Sequence, residues 1–321
     1  MRLLAKETKI DFIGLRKLAL VVSVALIALG IYSLSSKGLN YGIDFSGGTK
    51  MELSYQQDVD VVDLRSTLAA QGYGDAVVQD FGSSADSVKD ILIRIPLSED
   101  NQSAEVSSNV ERILKSGSVS DFELKSVEFV GPTFGKELFE QGILALIYAL
   151  IGVMIYVMFR FEWKYSLGSV AALIHDVLIT LGIFSFIGME FNQAVLAALL
   201  AVIGYSLNDT IVVFDRIREN FRKMRETGTE EVMNFSINQT LPRTILTSLT
   251  TLLVLVALFV FGGDALKGFS ATLIIGVLIG TYSSIFVASP TVLVLGAKAE
   301  DLIPDEIEKE NADQPEMPYM P

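Results

Sequence analysis

Six stretches of mainly apolar residues, each long enough to cross a lipid bilayer, constrain this chain more than any other feature. A transmembrane helix needs roughly 20 apolar residues to span about 30 Å of hydrocarbon. The stretches run from about Leu18 to Leu34, Leu138 to Phe159, Tyr165 to Ile187, Phe191 to Phe214, Arg243 to Phe261 and Phe269 to Leu295. Polar residues interrupt the last three. Half of the 321 residues are hydrophobic, and a mean hydropathy of +0.46 fits a membrane-embedded body better than two soluble domains. The expected class is an α-helical integral membrane protein with six transmembrane helices.

Charge supplies the orientation. Cytoplasmic loops collect Lys and Arg, and here Arg2, Lys6, Lys9, Arg16 and Lys17 precede the first span, Arg160 and Lys164 separate the second from the third, and Arg216, Arg218, Arg222, Lys223 and Arg225 separate the fourth from the fifth. The opposite loops hold a single basic residue, Lys267. Both termini are therefore expected in the cytoplasm. The chain divides into a cytoplasmic segment 1–17, a first span 18–35, an external insert 36–136, five further spans within 137–296, and a tail 297–321. The first span could also serve as a cleaved signal peptide, but its one small-residue site, Ala28-Leu29-Gly30, lies inside the apolar run, which favours an anchor. The net charge of −13 resides in two water-facing pieces: the insert from Lys37 to Lys136 carries −7, and the stretch from Glu300 to Pro321 another −7, leaving the membrane body near neutral. Such acidity gives no reason to expect nucleic acid as a partner. The tail's composition is that of a disordered segment.

Zero cysteines and one histidine exclude disulfides, thiolate sites and metal centres that need two imidazoles. No cofactor or metal is expected, nor is an enzyme. Within the insert the pattern changes to soluble type. Thr49 to Tyr55 alternates as a strand, Val61 to Ala70 is helical, Ala76 to Phe81 and Asp90 to Ile95 are strands, about Ser103 to Leu114 is helical, and Phe122 to Val130 is a final strand. The order βαββαβ is that of the ferredoxin-like fold, an α+β module that hosts many functions.

Ionisable groups inside a span cost at least ~2.5 to 3.5 kcal/mol near its centre, so each is a functional candidate. His175 and Asp176 lie near mid-bilayer in the third span. Adjacent helical residues point about 100° apart, so the two are not expected to face one path. Asp209 sits ~25 Å from the outer end of the fourth span. Arg243 opens the fifth span directly after Pro242, a residue suited to a helix's first turn. Asp209 and Arg243 thus reach similar depth on successive helices, where pairing relieves the cost of both charges. A structural ion bridge and a proton pathway both fit this pair, and Asn208 fits either. Thr244, Thr247, Ser248 and Thr251 form a hydroxyl stripe on the fifth span, and Thr272, Gly276 and Gly280 a small-residue stripe on the sixth. Close helix packing and a water-holding seam are both open for these faces.

Several of these residues fall in longer runs. Asp44-Phe45-Ser46-Gly47-Gly48-Thr49 follows the first span; Ile203-Gly204-Tyr205-Ser206-Leu207-Asn208-Asp209-Thr210 runs into Val213-Phe214-Asp215-Arg216-Ile217-Arg218-Glu219-Asn220; Asn238-Gln239-Thr240-Leu241 precedes Arg243-Thr244; and Gly280-Thr281-Tyr282-Ser283-Ser284-Ile285 lies in the sixth span. In these runs the chain resembles the SecF family of bacterial protein-export membrane subunits, over nearly its whole length up to the acidic tail. The resemblance implies a SecD partner, with which SecF forms a twelve-span pseudo-symmetric unit akin to resistance-nodulation-division transporters. It further implies association with the SecYEG channel, use of the proton gradient, and help in drawing the translocating preprotein into the periplasm from the inner membrane. By the same resemblance Asp209 and Arg243 are implicated in proton passage, completed by a carboxylate from SecD. Asn208, Thr247, His175 and Asp176 are candidates for supporting that pathway, and Gly47 and Gly48 for a hinge at the root of the external domain. A proton-driven exporter of small molecules or lipids, and a scaffold that moves no protons, are the competing classes.

Overall fold

The computed structural model describes residues 8–57, 59–83, 89–97, 105–116 and 121–298. The expected acidic tail beyond Lys298, the basic residues Arg2 and Lys6, and the expected helix start at Ser103 lie outside them. In chain order the elements are α1 (Arg16–Ser36), β1 (Asn40–Tyr41), α2 (Ile43–Ser46), β2 (Gly48–Tyr55), α3 (Val61–Ala70), β3 (Val77–Ser83), β4 (Lys89–Pro96), α4 (Val106–Lys115), β5 (Phe122–Val130), α5 (Pro132–Arg160), α6 (Trp163–Ile187), β6 (Glu190–Phe191), α7 (Gln193–Lys223), α8 (Thr229–Phe261), α9 (Asp264–Ser283), a π-helical turn (Ser284–Ala288) and α10 (Ser289–Val294). Among the described residues, six helices are long and apolar enough to cross a membrane, with α9, the π turn and α10 counting as one.

The bundle is centred on α6 and α7, whose spans are about half buried, whereas those of α5 and α8 show most of their surface outward. Glycines set the closest approaches. A Cβ on Gly30 of α1 would meet the Gly182 Cα of α6 at 3.2 Å, and next to this crossing Ser33 and Ser185 share a hydrogen bond of 2.9 Å. The small-residue stripe of α9 packs on α7 in the same way: a Cβ on Gly276 would run into Val202, and one on Gly280 would meet the Ser206 Cβ at 3.0 Å. For that stripe, close packing is therefore the geometry observed.

One helix differs from expectation. Pro242 and Arg243 do not begin a span; they lie inside α8, which starts at Thr229 and runs on without a break. The first half of α8 has its own reasons to be helical. Val232, Met233, Ile237 and Leu241 bury one face against Ile217 and Phe221 of α7 and against Phe12 and Ile13. Asn238 bonds the Ile10 backbone in both directions, at 3.0 and 2.8 Å, and Asn234 accepts from Phe12 N at 2.8 Å. Burial of this face outweighs the hydrogen bond that a mid-helix proline removes.

The external domain has the element order strand, helix, strand, strand, helix, strand, and its sheet runs β3-β4-β2-β5 with every neighbour antiparallel. Alternation along β2 sends Met51, Leu53 and Tyr55 to one face, where Leu64 and Leu68 of α3 and Val106, Val110 and Leu114 of α4 cover them. On the other face Lys125 of β5 reaches across β2 to Asp90 of β4 at 2.8 Å. Burial alone would raise the Asp90 carboxyl, but the hydrogen bonds from Lys125 and Ser54 and the Lys125 charge outweigh it and hold it below the usual carboxylate range.

The domain's root is a tight junction. Gly47 (φ 72°) and Gly48 (φ 140°) adopt backbone that side chains disfavour, and a Cβ on Gly48 would collide with the Ile95 carbonyl oxygen of the neighbouring strand. Gly135 of α5 lies against the Phe45 and Gly47 backbone, and Arg94, almost fully buried, pairs with Glu190 at 3.2 Å.

Gly48→Ala is expected to cost on the order of 1 to 3 kcal/mol of external-domain stability, read as a lower unfolding temperature and faster proteolysis of the domain; unchanged resistance would refute the close-approach reading. A depressed carboxyl such as Asp90 contributes stability above its unfolded value, near ~3.9, and loses it as the pH falls through its folded value. Lys125→Met should therefore lower the domain's stability at neutral pH and flatten its acid sensitivity, measured by unfolding at several pH values.

Candidate functional site

The polar residues of the membrane interior form two clusters joined by α7. The first centres on Asp176 of α6, which is 1% exposed. Its Oδ2 accepts from Ser206 Oγ of α7 at 2.6 Å and from Ser283 Oγ of α9 at 2.8 Å. Its Oδ1 lies 2.9 Å from Nδ1 of His175, whose Nε2 lies 3.1 Å from Ser23 Oγ of α1. Ser23 Oγ is 3.0 Å from the Tyr282 hydroxyl, which donates to the Ala19 carbonyl at 2.8 Å, and the Tyr282 ring stacks on His175. The expectation that neighbouring residues 175 and 176 diverge is thus corrected. The Asp176 carboxylate reaches two ways, with one oxygen turned back to the imidazole and the other across to α7 and α9. Two hydroxyl donors and the imidazole around one buried carboxyl satisfy a group that lipid would otherwise penalise heavily.

Ser206 and Ser283 as partners of Asp176, and Ser23 and Tyr282 as neighbours of His175, were not distinguishable in the sequence, because nothing local marks which hydroxyl of a span faces inward. The π turn was equally hidden. It follows Ser283 directly, and Ser289 Oγ donates to the Ser284 carbonyl at 2.9 Å across it. Pro290, which lacks an N–H, was the available signal.

The second cluster is incomplete. Asp209, 4% exposed, lies three residues beyond Ser206 on α7, a rise of about 4.5 Å. Among the described residues its side chain has no hydrogen-bond or ion-pair partner, and Oδ2 is fully buried. Arg243 is exposed and forms no ion pair with any described residue, so the expected Asp209–Arg243 bridge is not made, although the arginine is near enough to act on the carboxylate through space. The physical reason is direction: Asp209 faces into the bundle, while Arg243, one position before the buried Thr244, turns out of it. Asn208 is also exposed. Thr247 Oγ1 turns back onto the Arg243 and Thr244 carbonyls at 3.0 and 2.9 Å, while Ser248 bonds Thr281 of α9 at 2.7 Å. Gly47 and Gly48 lie apart from both clusters, at the domain root. Asp44, three residues before Gly47, accepts from Gln193 N at the first residue of α7 at 2.9 Å, a contact the sequence did not foreshadow.

Comparison with known proteins fits this architecture. A family model described as "Protein export membrane protein SecD/SecF, C-terminal" matches residues 109–298, and a second, "SecD/SecF GG Motif", matches residues 32–59. The chain belongs to the SecD/SecF family. Protein translocase subunit SecF of Vibrio alginolyticus is 46% identical over 99% of both chains, and that of Pseudomonas aeruginosa 47% identical over 95% of this chain and 98% of its own. A crystal structure of SecDF, a translocon-associated membrane protein from Thermus thermophilus, superposes with a TM-score of 0.78 at 38% identity, covering 90% of this chain and 39% of that longer one. The SecD/SecF assignment makes the chain a multi-pass inner-membrane protein of protein transport. It also gives the glycine pair its context, since Gly47 and Gly48 fall within the matched glycine motif.

Ser206→Ala should remove one of the donors to Asp176 and cost about 0.6 kcal/mol, the average measured for hydrogen bonds between membrane helices, and no more than about 1.7. Asp176→Ala should cost more, because it strands two hydroxyls and an imidazole. Thermal unfolding of the purified protein in detergent checks both, and equal stability of the two variants would contradict the network.

Proposed function

We propose that the chain is a SecF-type subunit that pairs with a SecD partner, associates with the SecYEG channel, and uses the proton gradient to promote late export of preproteins into the periplasm. One observation carries the reading: a buried carboxylate with no partner among the described residues, Asp209, sits beside two polar residues, Asn208 and Arg243, that are turned out of the bundle. Exposed arginine and asparagine in a span are costly against lipid, so that face calls for another protein. The carboxylate needs a proton or a cation beside it. The longer Thermus chain, a SecDF, supports a SecD partner, and in this reading that partner covers the face.

In this reading both termini are cytoplasmic, the external domain, of ferredoxin-like type, is periplasmic, and the acidic tail lies in the cytoplasm. A proton taken up by Asp209 removes the charge on which Arg243 acts, and α7 and α8 shift against each other. Asn208 and Thr247 line the approach. The shift has a mechanical outlet, because the first turn of α7 is bonded to Asp44 and Asp44 leads directly into Gly47 and Gly48. Those glycines flex, and the external domain turns against the emerging preprotein.

Asp209→Asn and Arg243→Ala, assembled with the partner, should each lower gradient-dependent export at least tenfold, and full export by assembled Asp209→Asn would sink the proposal. Asp44→Ala should keep proton flux while losing export, since it cuts the outlet and leaves the proton step intact. Dissipating the gradient should abolish the wild-type contribution, whereas a pure scaffold would keep it.

A further inference from the structure

The hydrogen atoms of the Asp176 cluster can be counted from its geometry. The Ala19 carbonyl can only accept, so the single hydroxyl hydrogen of Tyr282 is committed to it. The contact of 3.0 Å between Tyr282 and Ser23 then takes its hydrogen from Ser23. With that hydrogen spent, the contact of 3.1 Å between Ser23 Oγ and His175 requires Nε2 to be the donor. The last contact, 2.9 Å from Nδ1 to Asp176 Oδ1, needs one more hydrogen, on either atom. Ser206 and Ser283 donate to Oδ2 whichever atom holds it.

We infer that His175 and Asp176 together form a proton-binding site, distinct from Asp209, which holds one exchangeable proton in the arrangement seen here. The pair is either an imidazolium beside a carboxylate or a neutral imidazole beside a carboxylic acid, and both forms are neutral overall, which suits a site only 4% and 1% exposed. When the proton leaves, the imidazole and carboxylate retain one hydrogen for two contacts. Keeping it on Nε2 sets two lone pairs against each other at Nδ1 and Oδ1. Moving it to Nδ1 preserves the bond to Asp176 and leaves Nε2 as an acceptor. The Ser23 hydroxyl then rotates away from Tyr282 to donate to Nε2, and α1 loses one of its two bonds to the Tyr282 hydroxyl. No bond other than N–H or O–H is formed or broken, and the proton departs without its electron pair.

The surroundings connect this site to the first one. Among the described residues, the titratable side chains on α1 between Leu18 and Ser36 and on α5 between Gln141 and Phe159 are tyrosines alone, Tyr32 and then Tyr148 and Tyr156, all exposed on the outside of the bundle. Across α7 the nearest ionisable side chains are Tyr205 and Asp209, on either side of Ser206, and α9 contributes Tyr282; Arg243 on α8 acts on Asp209. Ser206, bonded to Asp176 and one turn from Asp209, is the hydroxyl between the two acids. The inference does not depend on the export reading, because it rests on donor counting alone.

His175 is the sole histidine of the chain, so a nitrogen-15 histidine spectrum of the purified full-length protein reports this site without assignment. At neutral pH the wild type should show a protonated Nε2, and on raising the pH a switch to the Nδ1–H form. Tyr282→Phe frees the Ser23 hydroxyl for Nε2 and should show the Nδ1–H form already at neutral pH, with little risk to folding. An unprotonated Nε2 in the wild type at neutral pH, or a Tyr282→Phe spectrum identical to that of the wild type, would overturn the inference. Export measured on Asp209→Asn decides the other reading separately.

Discussion

Lipid offers no partner to a buried polar group, and the Asp176 carboxylate is where that constraint shapes this molecule most. Its oxygens take hydroxyls from α7 and α9, and through His175 it reaches Ser23 on α1, so four membrane helices are fixed by one acid. Close approach makes those bonds possible. Gly280 lets the α9 backbone come near enough to α7 to share Ser206 and Ser283 with one oxygen, and Gly182 brings α1 against α6. The glycines and the hydroxyls are two halves of one packing solution: without small residues the helices stand too far apart, and without the carboxylate the hydroxyls have no shared acceptor.

Asp209 is the counterpart that the bundle leaves open. It lies on α7, one turn from the Ser206 that donates to Asp176, is buried to a similar degree, and has no partner among the described residues. Asp176 on α6 accepts hydroxyls from two other helices, whereas Asp209 on α7 has none to accept from among the described residues. Helix α7 begins at Gln193, whose N–H donates to Asp44, three residues before the glycines that lead into the external sheet. Helix α7 therefore runs from the root of the external domain past both acids to the charged turn at its far end, a single rigid element of 31 residues.

Much of this was legible in the residues. Six spans followed from run length alone, and the six elements of the external domain followed from alternation and helical spacing, with strand bounds close to those observed for Phe122–Val130 and Gly48–Tyr55. Where expectation failed, a tertiary contact had intervened. Pro242 reads as a helix start, yet Asn234, Asn238 and the apolar face around Ile237 hold the preceding segment helical against the chain's first described residues. His175 and Asp176 read as diverging, yet a carboxylate has two oxygens and can face two directions.

The sequence by itself determined that this is a membrane protein, how many times it crosses, and which few ionisable groups lie inside, because the cost of polar atoms in hydrocarbon is paid locally, residue by residue. Tertiary structure alone decided which of those groups are satisfied. Asp209 and Arg243 share a depth but not a direction, and Asp176 finds its donors on helices up to 107 residues away in the chain. Depth is a property of a position along one helix; direction and partnership depend on how the helices pack, and no local pattern of residues encodes that.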